Sequence, residues 1–131
     1  MADKIDMKPA LNLAFMGDAV YEIMVREYLL AEEARPVAQI AKKAQKMVNA
    51  KYQSLCYHHL KKIVDENELM VMKRGRNATS HSKAKSASIL EYRNATGVEA
   101  LFGYLYLKNE HNRLKEIFKI CMEEVNNEKT I

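Results

Sequence analysis

Two carboxylates stand where carboxylates are costly. Asp18 lies in LNLAFMGDAV and is the only charged residue between Lys8 and Glu22, while Glu99 lies in ATGVEALFGYLYL, the only charge between Arg93 and Lys108. An ionised carboxylate in apolar surroundings must reach water, a cationic side chain or a metal ion. Small residues surround both: Ala14, Gly17 and Ala19 beside Asp18, and Gly97, Ala100 and Gly103 beside Glu99. Glycine inside a helix costs about 1 kcal/mol relative to alanine, which is understandable where backbones or a ligand must approach closely. If the two helices pack face to face, the acids converge on one hard divalent cation. Mg²⁺ suits such a pair, because it takes one or two protein carboxylates and completes its shell with water and phosphate. That is the chemistry of phosphodiester hydrolysis, in which the ion activates water and neutralises charge on the phosphate. The plainer alternative places each acid on the exposed stripe of an amphipathic helix. Glu22, one turn after Asp18, is read as the partner of Arg26 at i, i+4.

The elements that position these residues are helical. The chain has 131 residues with only 4 Gly and 2 Pro, too little turn punctuation for an all-β or parallel-sheet fold, and its length suits one domain over 1–131. Apolar spacing predicts a long buried helix from about Asn12 to Leu30, and a second from Pro36 through Val48 with Lys42, Lys43 and Lys46 off its apolar stripe. The period resumes at Tyr52 and runs to Ile63, and Asn49 is the expected cap between the two. A short helix opens at the acidic run Asp65 to Glu68 and ends on Lys73, Arg74 and Arg76, in agreement with the helix dipole. Asn77 to Ala87 has no hydrophobic period and reads as a basic loop. Ser88 and Glu91 form a capping box for a helix to about Leu107, and a turn over Asn109 to Asn112 precedes the last helix. The expectation is an all-α domain of about six helices.

Composition bounds the partners. No segment approaches the ~20 apolar residues of a bilayer span, and residues 1–9 contain no apolar leader, so neither a membrane nor export is expected. Cys56 and Cys121 have neither metal spacing nor disulfide density and are read as inert, semi-buried thiols. The net charge of +4 is unevenly spread: residues 34–90 hold 12 Lys and Arg against 3 acids, whereas residues 1–33 hold 3 against 7 and residues 91–131 hold 6 against 7. A basic middle between acidic ends predicts one face attractive to polyanions, nucleic acid first among them.

The residues also carry a family resemblance. Leu13-Ala14-Phe15-Met16-Gly17-Asp18-Ala19-Val20-Tyr21-Glu22 resembles the signature helix of the ribonuclease III family, and Val98-Glu99-Ala100-Leu101-Phe102-Gly103 resembles its second metal-binding helix, in the same order. Lys73-Arg74-Gly75-Arg76-Asn77-Ala78 and Tyr92-Arg93-Asn94-Ala95-Thr96-Gly97 resemble segments of the short bacterial branch, Mini-ribonuclease III, which lacks a double-stranded-RNA-binding domain. The resemblance spans essentially the whole chain. It implies a ribonuclease III catalytic-domain fold and a homodimer with two sites in a basic valley. It also implies Mg²⁺, with Mn²⁺ as a substitute, and cleavage of double-stranded RNA to 5′-phosphate and 3′-hydroxyl ends. For the short branch it implies maturation of both ends of precursor 23S ribosomal RNA in the cytoplasm, with a ribosomal protein as a further candidate partner. Asp18 then becomes the essential catalytic acid, Glu99 the second metal ligand, and Phe15 the aromatic inserted into the partner subunit. Full-length members place further carboxylates where this chain has Leu11, Ala14 and Thr96, so the metal site is thinner and the number of ions stays open.

Duplex RNA is recognised by shape, through phosphates and 2′-hydroxyls. The candidate contacts are Lys73, Arg74 and Arg76 at a helix end and Lys83 and Lys85 in the following loop; the residues do not decide a role for His81. Lys42, Lys43 and Lys46 are read as solvated surface, and Tyr92, Tyr104 and Tyr106 as core or dimer interface. The rival reading is a ribonuclease III-like RNA-binding or ribosome-associated module without catalysis, against which retention of both acids argues.

Overall fold

The computed structural model describes residues 4–32, 34–78 and 88–129, and among them all regular structure is helical. Six helices follow one another: α1 (Ala10–Glu32), α2 (Val37–Met47), α3 (Ala50–Leu60), α4 (Glu66–Asn77), α5 (Ile89–Leu107) and α6 (His111–Lys129). The all-α expectation holds, with α1 two residues longer at each end than its apolar period suggested. Glu33 and residues 79–87 lie outside the described residues, which removes Lys83, Lys85, His81 and the expected basic loop from structural view.

Capping chemistry places the helix boundaries. The Asn49 side chain accepts the Tyr52 amide at 2.8 Å and separates α2 from α3 as expected. Ser88 and Glu91 exchange backbone and side-chain hydrogen bonds in the expected capping box. A second box, unannounced by the serine or threonine pattern, starts α4: Asp65 accepts from the Glu68 amide and Glu68 accepts from the Asp65 amide. Pro36 stands just before α2 rather than in its first turn. Between α5 and α6, Asn109 adopts φ 59°, and the amides of Asn109 and Glu110 bond back to the carbonyls of Tyr106 and Leu105. That is a Schellman closure with asparagine in the left-handed position, and it confines the turn to two residues.

Helix α5 is the axis of the core. Its residues from Asn94 to Leu105 are buried except Glu99, and α1, α3, α4 and α6 all pack on it. Tyr21, Phe102 and Phe118 meet edge to face where α1, α5 and α6 converge, with centroids 5.3 to 6.4 Å apart. Two polar ties span the core: the Tyr21 hydroxyl donates to the Met47 carbonyl at 2.6 Å, and Arg113 of α6 forks onto Glu68 of α4 with two bonds of 2.8 Å. Cys56 and Cys121 are free and fully buried, deeper than expected, and form part of this core.

The contact that matters most for function is the crossing of α1 and α5. A Cβ on Gly17 would lie 1.6 Å from the Glu99 carbonyl oxygen, and one on Gly103 would lie 2.0 Å from the Leu13 carbonyl oxygen. The two backbones touch, and only glycine permits it. Gly103→Ala should therefore destabilise the fold by about 1–3 kcal/mol or more despite alanine's higher helix propensity. Urea titration monitored by circular dichroism checks this, and an unchanged or raised midpoint would contradict the close crossing.

Candidate active site

At that crossing Asp18 of α1 and Glu99 of α5 come together. Their carboxyl groups lie within hydrogen-bonding reach, and the Gln53 side chain of α3 reaches Glu99 as well. Asp18 is exposed and Glu99 half-buried, so the pair opens to solvent on the Asp18 side while its floor is protein. Burial first, and then the neighbouring Asp18 charge and hydrogen bond, push the Glu99 carboxyl up to about 8, with the Gln53 hydrogen bond opposing. Glu99 therefore keeps its proton at neutral pH, the direction that burial and a like charge at close range impose. Asp18 does lie on the exposed side of its helix, as the plainer reading had it, whereas Glu99 is half-buried and set against Asp18.

This donor set fits a hard divalent cation. Among the described residues no cationic side chain figures among the groups acting on Glu99; two carboxylates so held are relieved by a doubly charged ion, and Mg²⁺ binds with that few protein oxygens. No group of three His, Cys, Asp or Glu side chains suited to a metal occurs among the described residues, so the site is as thin as its sequence indicated. Thr96, which stands where longer relatives place an acid, donates its hydroxyl to the Tyr92 carbonyl at 3.0 Å. Glu22 pairs with Arg26 at 3.0 Å, leaving it outside the pair.

Gln53 is the member of the candidate site that sequence reasoning missed. It is 3% exposed on a helix whose buried face also carries Tyr52, Ser54, Cys56 and Tyr57. Nothing in its local pattern separates an amide that touches Glu99 from any other polar residue in AKYQSLCYHHL. Only the packing of α3 on α5 reveals it.

The other candidates are dispersed. Lys73 is exposed, Arg74 donates to the Lys8 carbonyl at 2.8 Å, and Arg76 donates through Nε to the Asn94 side-chain oxygen at 3.0 Å. Lys42, Lys43 and Lys46 are exposed along α2. Phe15 is 84% exposed, on the same helix as the exposed Leu11 and Ile23. Nearby, Met16, Val20, Ile23, Tyr106 and Leu114 line an apolar cleft of about 240 Å³ between α1 and α6. Of the three tyrosines, Tyr104 lies in the core, Tyr92 is half-buried, and Tyr106 is on the cleft against His111. No helix among the described residues is long and apolar enough to cross a membrane.

Residues 11–110 match the profile of the Ribonuclease III domain, and the chain belongs to the ribonuclease III family. Among its relatives are Mini-ribonuclease 3 of Clostridium tetani, 46% identical over 92% of this chain and 80% of that protein, and Mini-ribonuclease 3 of Brevibacillus brevis, 48% identical over 82% and 80%. A crystal structure of a Fusobacterium nucleatum protein superposes with a TM-score of 0.82 at 32% identity, covering 94% of this chain and 98% of that one.

The Glu99 proton makes a signed prediction. Between the ordinary carboxyl value of 4.5 and about 8, folded Glu99 keeps a proton that the unfolded chain has released. Stability of the metal-free protein should therefore be greatest below this window and fall as pH rises through it. Glu99→Gln should remove the slope and, in EDTA above pH 8, melt higher than the parent, by about 2 kcal/mol or more. Thermal melts across pH test this, and parallel curves for the two proteins would contradict it.

Proposed function

We propose that this protein is a Mg²⁺-dependent endoribonuclease that cleaves double-stranded RNA as a homodimer, leaving 5′-phosphate and 3′-hydroxyl ends. Its substrate is precursor 23S ribosomal RNA, trimmed at both ends in the cytoplasm, and a ribosomal protein is a candidate assistant. The juxtaposition of Asp18 and Glu99 carries the reading, and the Mini-ribonuclease 3 names of the relatives support it.

Asp18 and Glu99 would hold the cation, Mg²⁺ or Mn²⁺ in its place. When bound, it supplies Lewis-acid activation of water and neutralises charge that builds on the scissile phosphate. The chain's own part is to prepare the ligands. Glu99 must release its carboxyl proton before it can coordinate, and a nearby dication favours that release. Gln53 holds the Glu99 carboxyl from the protein side, and exposed Asp18 faces the side from which substrate arrives. Lys73, Arg74 and Arg76, with Lys83 and Lys85, are proposed to meet RNA phosphates, and counterion release would make that binding steeply salt-dependent. Phe15 and the apolar cleft on the same side of the molecule suit a twofold contact, in which each copy offers an aromatic and a hollow.

Cleavage of a structured precursor RNA in Mg²⁺ tests the activity. Asp18→Asn should lower the rate at least about a hundredfold while leaving the melting temperature near that of the parent, and EDTA should abolish cutting. RNA binding without cleavage by the parent protein would instead favour the non-catalytic module. Phe15→Asp should halve the mass in sedimentation equilibrium, since an ionised group cannot be buried in an apolar interface without cost; an unchanged mass would move the dimer contact elsewhere.

A further inference from the structure

A second cleft of about 670 Å³ opens between the end of α3, α4 and the start of α5, and its chemistry differs from that of the acid pair. Lys61, Lys62, Lys73 and Arg76 line it, together with His58 and Asn94, and no carboxylate among the described residues does. Among the described residues none of these four cations forms an ion pair with an acid. Four positive side chains gathered without a counter-charge repel one another, and such a field attracts an anion.

The floor of the cleft is built rather than accidental. Asn94 is 1% exposed; its oxygen accepts from Arg76 Nε at 3.0 Å, and its amide donates to Ser54 at 3.0 Å and to His58 Nε2 at 3.5 Å. Arg76 is held through Nε by Asn94 and, at 3.5 Å, through Nη1 by the Asn77 side-chain oxygen, which leaves Nη2 with donors to offer. With Nε2 accepting, the neutral His58 ring carries its proton on Nδ1. Burial, then the Lys61, His59 and Arg76 charges, hold His58 below its ordinary value, with Glu128 opposing. Leu69 and Leu90 add an apolar wall to the same cleft.

The cleft is distinct from the proposed active site. At 3.6 residues per turn, Asn94 and Glu99 point about 140° apart around α5. Helix α3 lies between them, with Gln53 touching Glu99 and Ser54 touching Asn94.

We propose that this cleft binds a phosphorylated nucleotide unit, its phosphate taken by Lys61, Lys62, Lys73 and Arg76 and its apolar face resting on Leu69 and Leu90. The phosphate comes either from a free mononucleotide or from a nucleotide of an RNA strand. Lys73 and Arg76 are also among the proposed RNA contacts, so the strand source rests on the proposed function, whereas the free-nucleotide source stands on the cleft alone. The test uses the full chain in EDTA, where nothing is cut, and follows binding of adenosine 5′-monophosphate, inorganic pyrophosphate and a short single-stranded RNA by calorimetry and fluorescence anisotropy. Lys61→Gln with Lys62→Gln, both on exposed residues, should weaken binding about tenfold. Lys61→Arg with Lys62→Arg should retain it, and the charge-matched Lys42→Gln with Lys46→Gln should have a smaller effect. Mononucleotide binding that competes with RNA assigns a free nucleotide, and RNA binding without mononucleotide binding assigns a strand. Because nothing is cut in EDTA, binding is read independently of cleavage, which separates failure here from failure of the nuclease reading. The proposal is overturned if the two glutamine pairs weaken binding equally or not at all, if pyrophosphate alone binds, or if polyglutamate binds as tightly as RNA.

Discussion

The approach of two helix backbones governs this molecule. Side chains normally hold packed helices 8–10 Å apart, but at Gly17 and Gly103 nothing intervenes, and the carbonyls of Leu13 and Glu99 fill the space that Cβ atoms would take. The neighbours of those glycines inherit the proximity. Asp18 and Glu99 are adjacent because their helices cannot stand further apart without opening a void along the buried face of α5.

That proximity is unfavourable for the protein alone. The proton kept on Glu99 is the cheapest way to keep both acids in place when no cation is present. Stability spent here is recovered elsewhere in the fold: the edge-to-face aromatic cluster on α1, α5 and α6, the Glu68 to Arg113 fork, and the capping boxes that start α4 and α5. The scaffold is rigid where it need not react and electrostatically uncomfortable where chemistry is proposed.

Surface chemistry is divided in the same way. The apolar side chains Phe15 and Ile23 and the cleft beside them face outward from α1 and α6, whereas uncompensated positive charge gathers where α3, α4 and α5 meet. Helix α5 touches both worlds, since it carries Glu99 on one side and Asn94 on another. A single buried helix thereby separates an acidic centre from a cationic one by rotation about its axis rather than by distance along the chain.

Much of this was legible in the residues because it is local. Helical period, the Asn49 cap, the Ser88 to Glu91 box and the Asn109 turn depend on neighbours within five positions, and a carboxylate isolated in an apolar run marks itself without any partner. Pairing Asp18 with Glu99 already required a guess about which helices cross, supported by the glycines beside them. Gln53 gave no such signal, since an amide in a mixed helix acquires its role only from what lies opposite. The cationic cleft was half visible: Lys73 and Arg76 stood out as a charged helix end, but His58 lies on α3 and Lys61 and Lys62 in the turn that follows it, and they join the other two only in three dimensions. Sequence alone determined the helices and which residues are chemically anomalous, because those follow from local sterics and from the cost of burying charge. The tertiary structure alone decided which anomalies meet, because contacts between distant segments depend on how whole helix faces fit together.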